Sequence, residues 1–250
     1  MEMIRYIIFF CIIIIILQFF FYKKTHNLLT TSKCWIDNNK FPQAQILFDS
    51  RDIIKKELFS ILNSDKWSIW SSDYETTPIF TKMTHNDILT RLHLNAGNIN
   101  SSVNSASTSA SASASASAWR IFGLVLNKKI LPTAKYCPNT IKLLKSINFS
   151  QILNAGFSLL EPNYTIGSHQ DFDNRFYRLH IPLIIPDVNS SIPSSFVTKK
   201  ESKKLCTLQV ENDYKIWKND EYFIFDDTCK HNAWNPTNQI RIVLLIDLLK

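Results

Sequence analysis

The chain predicts a mainly β domain, a sandwich or barrel of short strands, behind one membrane-spanning helix and a helical lead-in. Three observations predict it. Apolar runs of strand length, separated by turn residues, fill the second half from Trp119 onward. An almost unbroken apolar stretch near the N-terminus ends in a lysine pair. A run made almost wholly of Ser and Ala, 101–118, parts a segment of helical spacing from the strand-like half.

The apolar stretch covers 6–22 and is interrupted by Gln18. That is the short end of the roughly 17–25 residues that cross a bilayer as a helix. Phe-Tyr-Lys-Lys follows where a signal peptide would show small residues, so 1–24 reads as an uncleaved, single-pass membrane anchor. Arg5 lies before the stretch and Lys23 and Lys24 after it, which leans toward a cytoplasmic C-terminal domain but leaves the side of the membrane open. Sequons at Asn100, Asn148, Asn163 and Asn189 matter only for a lumenal domain. Residues 25–40 form a juxtamembrane segment, and 41–250 the folded domain, with 101–118 as a low-complexity loop inside it.

In the lead-in, apolar residues at 53, 54, 58, 61 and 62 fit one face of a helix. His85-Asn-Asp87 stands just before Ile88-Leu-Thr-Arg-Leu, where an acidic residue suits a helix start. After the Ser/Ala run, 119–126 reads as a strand and 140–146 as a short helix behind Cys137-Pro138. Further strand-like runs follow at 156–160, 176–185, 205–210, 222–225 and 240–249.

Composition excludes several functions. The four glycines are too few and too scattered for a phosphate loop or a dinucleotide fingerprint. The net charge of +7 includes a lysine cluster at Lys199, Lys200, Lys203 and Lys204, which is either a solvated face or a site of attraction for an anionic partner. No nucleic-acid-binding motif accompanies it, so no nucleic-acid partner is expected. The five cysteines form no CxxC pair, which argues against structural zinc and leaves the redox compartment open.

The chemistry centres on His169-Gln-Asp171. In a strand, residues i and i+2 share a face, so an imidazole and a carboxylate would stand side by side. With His231 as third ligand they would make the two-histidine, one-carboxylate face of an iron(II) site. Asp173-Asn174 predicts a hairpin with Asn174 and Arg175 at its tip, Asp171 opposite Arg178 and His169 opposite His180. A second hairpin, centred on Pro236, would bring Arg241 opposite or diagonal to His231. Arg241 lies in an otherwise apolar strand and needs an anion, either a protein carboxylate or the far carboxylate of a metal-chelating dicarboxylate. Asp226 and Asp227 read as turn residues or supports rather than ligands.

From Trp119 to Asp247 these residues resemble the aspartyl/asparaginyl β-hydroxylase family, which includes animal protein hydroxylases and bacterial lipid A hydroxylases. The resemblance rests on Cys137-Pro-Asn-Thr140, Phe157-Ser158, Pro162, His169, Asn174, Arg178-Leu-His180 with Pro186, Phe225-Asp-Asp-Thr228, His231 and Arg241-Ile-Val-Leu. It implies a double-stranded β-helix (jelly-roll) with flanking N-terminal helices. It also implies iron(II), 2-oxoglutarate as cosubstrate and dioxygen. His169 and His231 would hold the metal, and Arg241, Ser158, Arg178 and His180 the cosubstrate. Two departures stand out. Animal members carry Gly where this chain has Asp171, as lipid-hydroxylating members do. Pro162-Asn163 replaces the usual Pro-Gly, and Asn tolerates the left-handed turn. The substrate implied is a protein Asp or Asn side chain or a lipid acyl chain; the alternative is a catalytically inactive jelly-roll that only binds a partner.

Overall fold

The structure, a computed structural model, describes residues 33–69, 119–186, 192 and 194–250; the expected anchor, the helix start at 85 and the Ser/Ala run lie outside them. Among the described residues no helix is long and apolar enough to cross a membrane.

Two antiparallel sheets form the domain. Among the described residues the large sheet runs β1 (Trp35–Ile36), β11 (Phe223–Phe225), β7 (Phe176–Ile184), β13 (Arg241–Leu249), β5 (Ile152–Leu160), β3 (Trp119–Leu126), β2 (Ser68–Ile69), with β4 (Lys129–Ile130) on β3. The small sheet runs β6 (Tyr164–His169), β12 (His231–Asn235), β9 (Thr207–Val210), β10 (Asp213–Ile216), β8 (Phe196–Val197). From β5 to β13 the chain passes back and forth between the sheets, and that winding is the expected jelly-roll.

The central strands are apolar almost throughout because both faces are covered. Along β13, Ile242, Leu244, Ile246 and Leu248 pack outward with the helix residues Leu47, Ile54, Leu58, Ile141 and Leu144. The alternate set, Arg241, Val243, Leu245 and Asp247, points into the space between the sheets. The same period turns Arg178 and His180 of β7 and Ser158 of β5 inward.

The outer face is covered by α1 (Ala44–Asp49), α2 (Arg51–Ile61) and α3 (Pro138–Ser146). Of the helical face expected on α2, Ile54, Leu58 and Ile61 are buried, with Leu62 just beyond its end, while Ile53 turns to solvent. Helix α3 begins with Pro138, whose missing N–H costs nothing in the first turn. Its next two N–H groups, of Asn139 and Thr140, donate to the Glu57 carboxylate of α2 at 2.7 and 2.8 Å. That contact joins the two helices and explains the Cys137-Pro-Asn-Thr140 pattern. Asn163 has φ of 55°, the left-handed turn expected where glycine is usual.

Both expected hairpins are absent. Strand β6 pairs with β12 in the small sheet, whereas β7 pairs with β11 and β13 in the large one. Residues 170–175 therefore cross between sheets, and His169 opposes His231 rather than His180. Arg178 lies opposite Asp247 and Phe225, not Asp171. The second turn is also a crossover. The buried Asn235 organises it, donating to the carbonyls of Leu160, Glu161 and Gln239 and accepting from Thr237. Both edges of β13 are taken by β5 and β7, so β12 has no edge there to pair with. The strand argument for His169 and Asp171 fails with the hairpin. Strand β6 ends at His169, and Asp171 sits in the turn, its Oδ1 accepting the Asp173 N–H at 3.0 Å.

Candidate active site

His169 ends β6 and His231 begins β12, and their pairing sets the two rings 4.2 Å apart, centroid to centroid. Each ring is fixed in the same way. His169 Nδ1 lies 2.8 Å from the Gly167 carbonyl, and His231 Nδ1 lies 2.8 Å from the Cys229 carbonyl. A carbonyl can only accept, so both Nδ1 atoms carry hydrogen, and Nε2 is the atom of each ring left to bind a metal. Burial, and then the neighbouring charge of His169, pulls His231 down to about 3, which keeps it neutral.

A carboxylate faces the Nε2 of His231. Asp227 Oδ1 stands 3.2 Å from His231 Nε2, is buried and has no hydrogen-bond partner. Two acceptors that close are repulsive unless a proton or a cation lies between them. Burial pushes the Asp227 carboxyl up to about 7 against the pull of Arg178, so the site gains from either. Two imidazole lone pairs and a carboxylate oxygen are the donor set of a divalent iron site, and the residues present fit that ion.

Asp171 is placed differently. Its main-chain N–H donates to the Asp227 carbonyl at 2.9 Å and its carboxylate is near enough to act electrostatically on Arg178 and Asp227. Neither Asp171 nor Asp227 closes a three-ligand cluster with the two histidines. Among the described residues the one such cluster is Cys34, Glu211 and Cys229, and its two sulfurs are joined in a disulfide. Sequence reasoning set Asp227 aside as a support; the signal available was its i, i+4 spacing from His231 across a turn.

Arg178 is buried between two carboxylates. Its Nη1 lies 2.6 Å from Asp227 Oδ2, while Nε and Nη2 donate to Asp247 at 2.8 and 3.2 Å. Burial alone would lower its pKa, but Asp227 and Asp247 together raise it. Arg178 thus holds Asp227 beside the histidines, using three of its five N–H groups, and it also lines the cavity.

Arg241 is the opposite case. It is 1% exposed, stacks over Trp217 at 4.4 Å, and Nη1 donates to the Ser158 carbonyl at 3.2 Å with Ser158 Oγ at 3.4 Å. No salt bridge reaches it among the described residues, and its Nε has no partner. Burial pulls the guanidinium down to about 10. Both ring nitrogens of the buried His180 are also without partners, and that ring stacks on Trp217 at 5.9 Å. Ser158, His180, Arg241, Leu245 and Trp119 line one narrow cavity of about 30 Å³ together with His169 and His231. A buried cation and unpaired buried nitrogens are costly alone, and they suit an anion with several acceptor oxygens.

Residues 85–250 match the family described as aspartyl/asparaginyl beta-hydroxylase. The chain is 31% identical over 133 residues to the ornithine lipid ester-linked acyl 2-hydroxylase of Rhizobium tropici. That match covers 53% of this chain and 42% of the relative, so the chain spans less than half the relative's length. Among solved structures, it is 9% identical to an oxidoreductase of the 2OG-Fe(II) oxygenase family from Burkholderia pseudomallei, covering 52% of this chain and 68% of that one, with a TM-score of 0.35. A collagen prolyl hydroxylase from Paramecium bursaria Chlorella virus-1 is 11% identical over 52% of this chain and 77% of its own, with a TM-score of 0.33.

Proposed function

The chain belongs to the aspartyl/asparaginyl β-hydroxylase family, and from that premise we propose that it is an iron(II)- and 2-oxoglutarate-dependent hydroxylase of a lipid acyl chain. The observation that carries the cosubstrate is Arg241, a wholly buried guanidinium with no protein carboxylate, on the same cavity as two opposed histidine lone pairs. Iron(II) bound there, with 2-oxoglutarate and dioxygen, supplies the oxidising power that puts a hydroxyl on an unactivated carbon.

The chain's own residues do the rest. His169 and His231 hold the metal through Nε2, their Nδ1–H groups pinned by main-chain carbonyls. Asp171 or Asp227 completes the set with a carboxylate; Asp227 is already directed at His231 Nε2, and Asp171 would have to turn from the Asp173 N–H. Arg241 pairs with the far carboxylate of the cosubstrate, and Ser158 and His180 supply hydrogen bonds beside it. Trp217, Phe223 and Phe225 exclude water from that end of the cavity.

The acyl-chain substrate is supported by the Rhizobium tropici relative, by Asp171, by the apolar stretch at 6–22 as a membrane anchor, and by the exposed lysines 199, 200, 203 and 204 as a face for anionic headgroups. The full chain, loaded anaerobically with iron(II), is expected to form succinate from 2-oxoglutarate in air. His231→Ala and Arg241→Met should abolish that turnover. Expression in cells should add one oxygen mass to lipids and not to tryptic peptides. The reverse would move the substrate to protein Asp or Asn side chains. Wild-type protein binding neither iron nor 2-oxoglutarate would leave only the inactive binding module.

A further inference from the structure

The segment between β11 and β12, residues 226–230, contacts Asp171, Arg178 and His231 at the candidate metal centre. The Asp227 carbonyl accepts the Asp171 N–H, the Asp227 carboxylate holds Arg178 and faces His231 Nε2, and the Cys229 carbonyl sets the His231 tautomer. The segment closes on itself. Thr228 donates twice to Asp226 Oδ1, at 3.1 and 2.6 Å, and the Cys229 N–H donates to the Asp226 carbonyl at 3.0 Å.

It is also held from outside by the N-terminal strand. Cys34 is joined to Cys229 by a disulfide that spans 195 residues of sequence, and the Cys34 carbonyl accepts the Asp226 N–H at 2.8 Å. Strand β1 continues that grip. Trp35 and Ile36 pair with Phe225 and Ile224, and the Trp35 ring meets Phe223 edge-on at 5.5 Å. Phe225 in turn lies 5.3 Å from the His231 ring. A two-residue strand at the edge of a sheet has little hold of its own, so the covalent bond reinforces the pairing and ring packing that hold Cys34.

We propose that the Cys34–Cys229 disulfide is a positioning device for the metal centre, so that metal affinity depends on the oxidation state of this pair. The inference rests on the reading of His169 and His231 as metal-binding residues. The link is short: Cys229 lies two residues from His231, and its carbonyl anchors the imidazole N–H. Reducing the bond frees the Cys229 backbone to move, and with it the direction of the His231 lone pair and the position of Asp227. Such a disulfide persists in secretory or periplasmic surroundings and is reduced in the cytosol, so a centre built this way belongs to an oxidising compartment.

The test compares cobalt(II) binding, read by visible absorption under argon, for the air-oxidised full chain and for a Cys34→Ser/Cys229→Ser variant. Near-UV circular dichroism establishes that each sample is folded. The folded variant is expected to bind cobalt at least about tenfold more weakly, with a shifted ligand-field band, the size of loss seen when the support of a liganding histidine is removed. If the variant does not fold, native protein reduced and alkylated in place gives the same comparison and keeps the freed sulfurs, with Glu211, from binding cobalt themselves. Affinity equal within about twofold in a folded sample would overturn the inference, being well below the loss expected for such a support. So would mass spectrometry showing Cys34 and Cys229 as free thiols in the air-oxidised chain. His231→Ala separates the two levels: if it binds cobalt as wild type does, the metal-site reading itself falls.

Discussion

Replacing Arg241 by Met separates a structural cation from a ligand-binding one. A buried charge paired to a protein carboxylate costs about 3–5 kcal/mol when one partner is removed, because the other is left stranded. Arg241 strands nothing when removed, since no salt bridge reaches it among the described residues. Burial lowers its pKa from 12.5 to about 10, which corresponds to a cost of roughly 3 kcal/mol for keeping it charged in the fold. Methionine escapes that cost. Against this it forfeits the stack on Trp217 at 4.4 Å, worth about 2 kcal/mol in a desolvated place, and the hydrogen bond to the Ser158 carbonyl, about 1–2 kcal/mol. The two sides nearly cancel, so unfolding free energy without ligand should change by no more than about 1 kcal/mol.

Cosubstrate binding should respond very differently. Losing one partner of a desolvated charge pair costs about 2–5 kcal/mol, so 2-oxoglutarate affinity should fall roughly 30-fold or more. Chemical denaturation and calorimetric titration, each with manganese(II) as a metal inert to air on this timescale, measure the two quantities on the same samples. Wild type should gain about 2.7 kcal/mol of stability in 2-oxoglutarate at a hundred times its dissociation constant, and the Met variant should gain little. A variant that loses about 3–5 kcal/mol unliganded yet binds 2-oxoglutarate as wild type does would refute the reasoning and make Arg241 a structural ion.

Two further perturbations test other links. Glu57→Gln weakens the contact by which α2 caps α3, and should lower stability by about 1–3 kcal/mol in a melt while leaving cobalt affinity unchanged, since Glu57 lies on the outer, helix-covered face. Cys137 and Cys206 are both buried, and burial raises each thiol to about 12, aided at Cys137 by the charge of Glu57 and opposed at Cys206 by Arg241. Neither should be alkylated by iodoacetamide at pH 8 until the protein is unfolded, which mass spectrometry of the intact and denatured chain would check. The linked sign is that of acids with raised pKa. The folded state retains protons that an unfolded thiol releases near 9, so stability should fall as pH climbs from about 9 toward 12.

How much of this was legible in the sequence depended on which faces a strand buries. Strands β3, β5, β7 and β13 are covered on both sides, so they stand out as continuous apolar runs and their bounds were found within a few residues. Strand β6 is half exposed along its length and β10 is polar at its start, so neither gave an apolar run. Turn residues signalled that the chain reverses at 170–175 and again around Pro236. They carry no information about whether it returns in the same sheet or the opposite one, and both hairpins were wrong for that reason. His169, His231 and Arg241 line one cavity, and what joins them in the sequence is residue type and resemblance rather than hairpin register. The Cys34–Cys229 bond was out of reach, because four cysteines outside the apolar stretch allow three full pairings and many partial ones.

The same crossovers that defeated the hairpin reading are what make a site possible. Had β6 and β7 paired, His169 and His180 would share one sheet and one inward face with Arg241, and no wall would oppose them. By crossing, the chain puts His169 and His231 on the small sheet and Arg178, His180, Ser158 and Arg241 on the large one, so that the cavity is lined from both sides. Each crossover then carries a carboxylate, Asp171 in 170–175 and Asp227 in 226–230, and the Asp171 N–H to Asp227 carbonyl bond ties the two together. That tie uses main-chain atoms at position 171, while the Asp171 side chain adds a bond within its own turn by accepting the Asp173 N–H. Asp227 reaches further: its carboxylate holds Arg178, its carbonyl holds the other crossover, and its remaining oxygen faces His231.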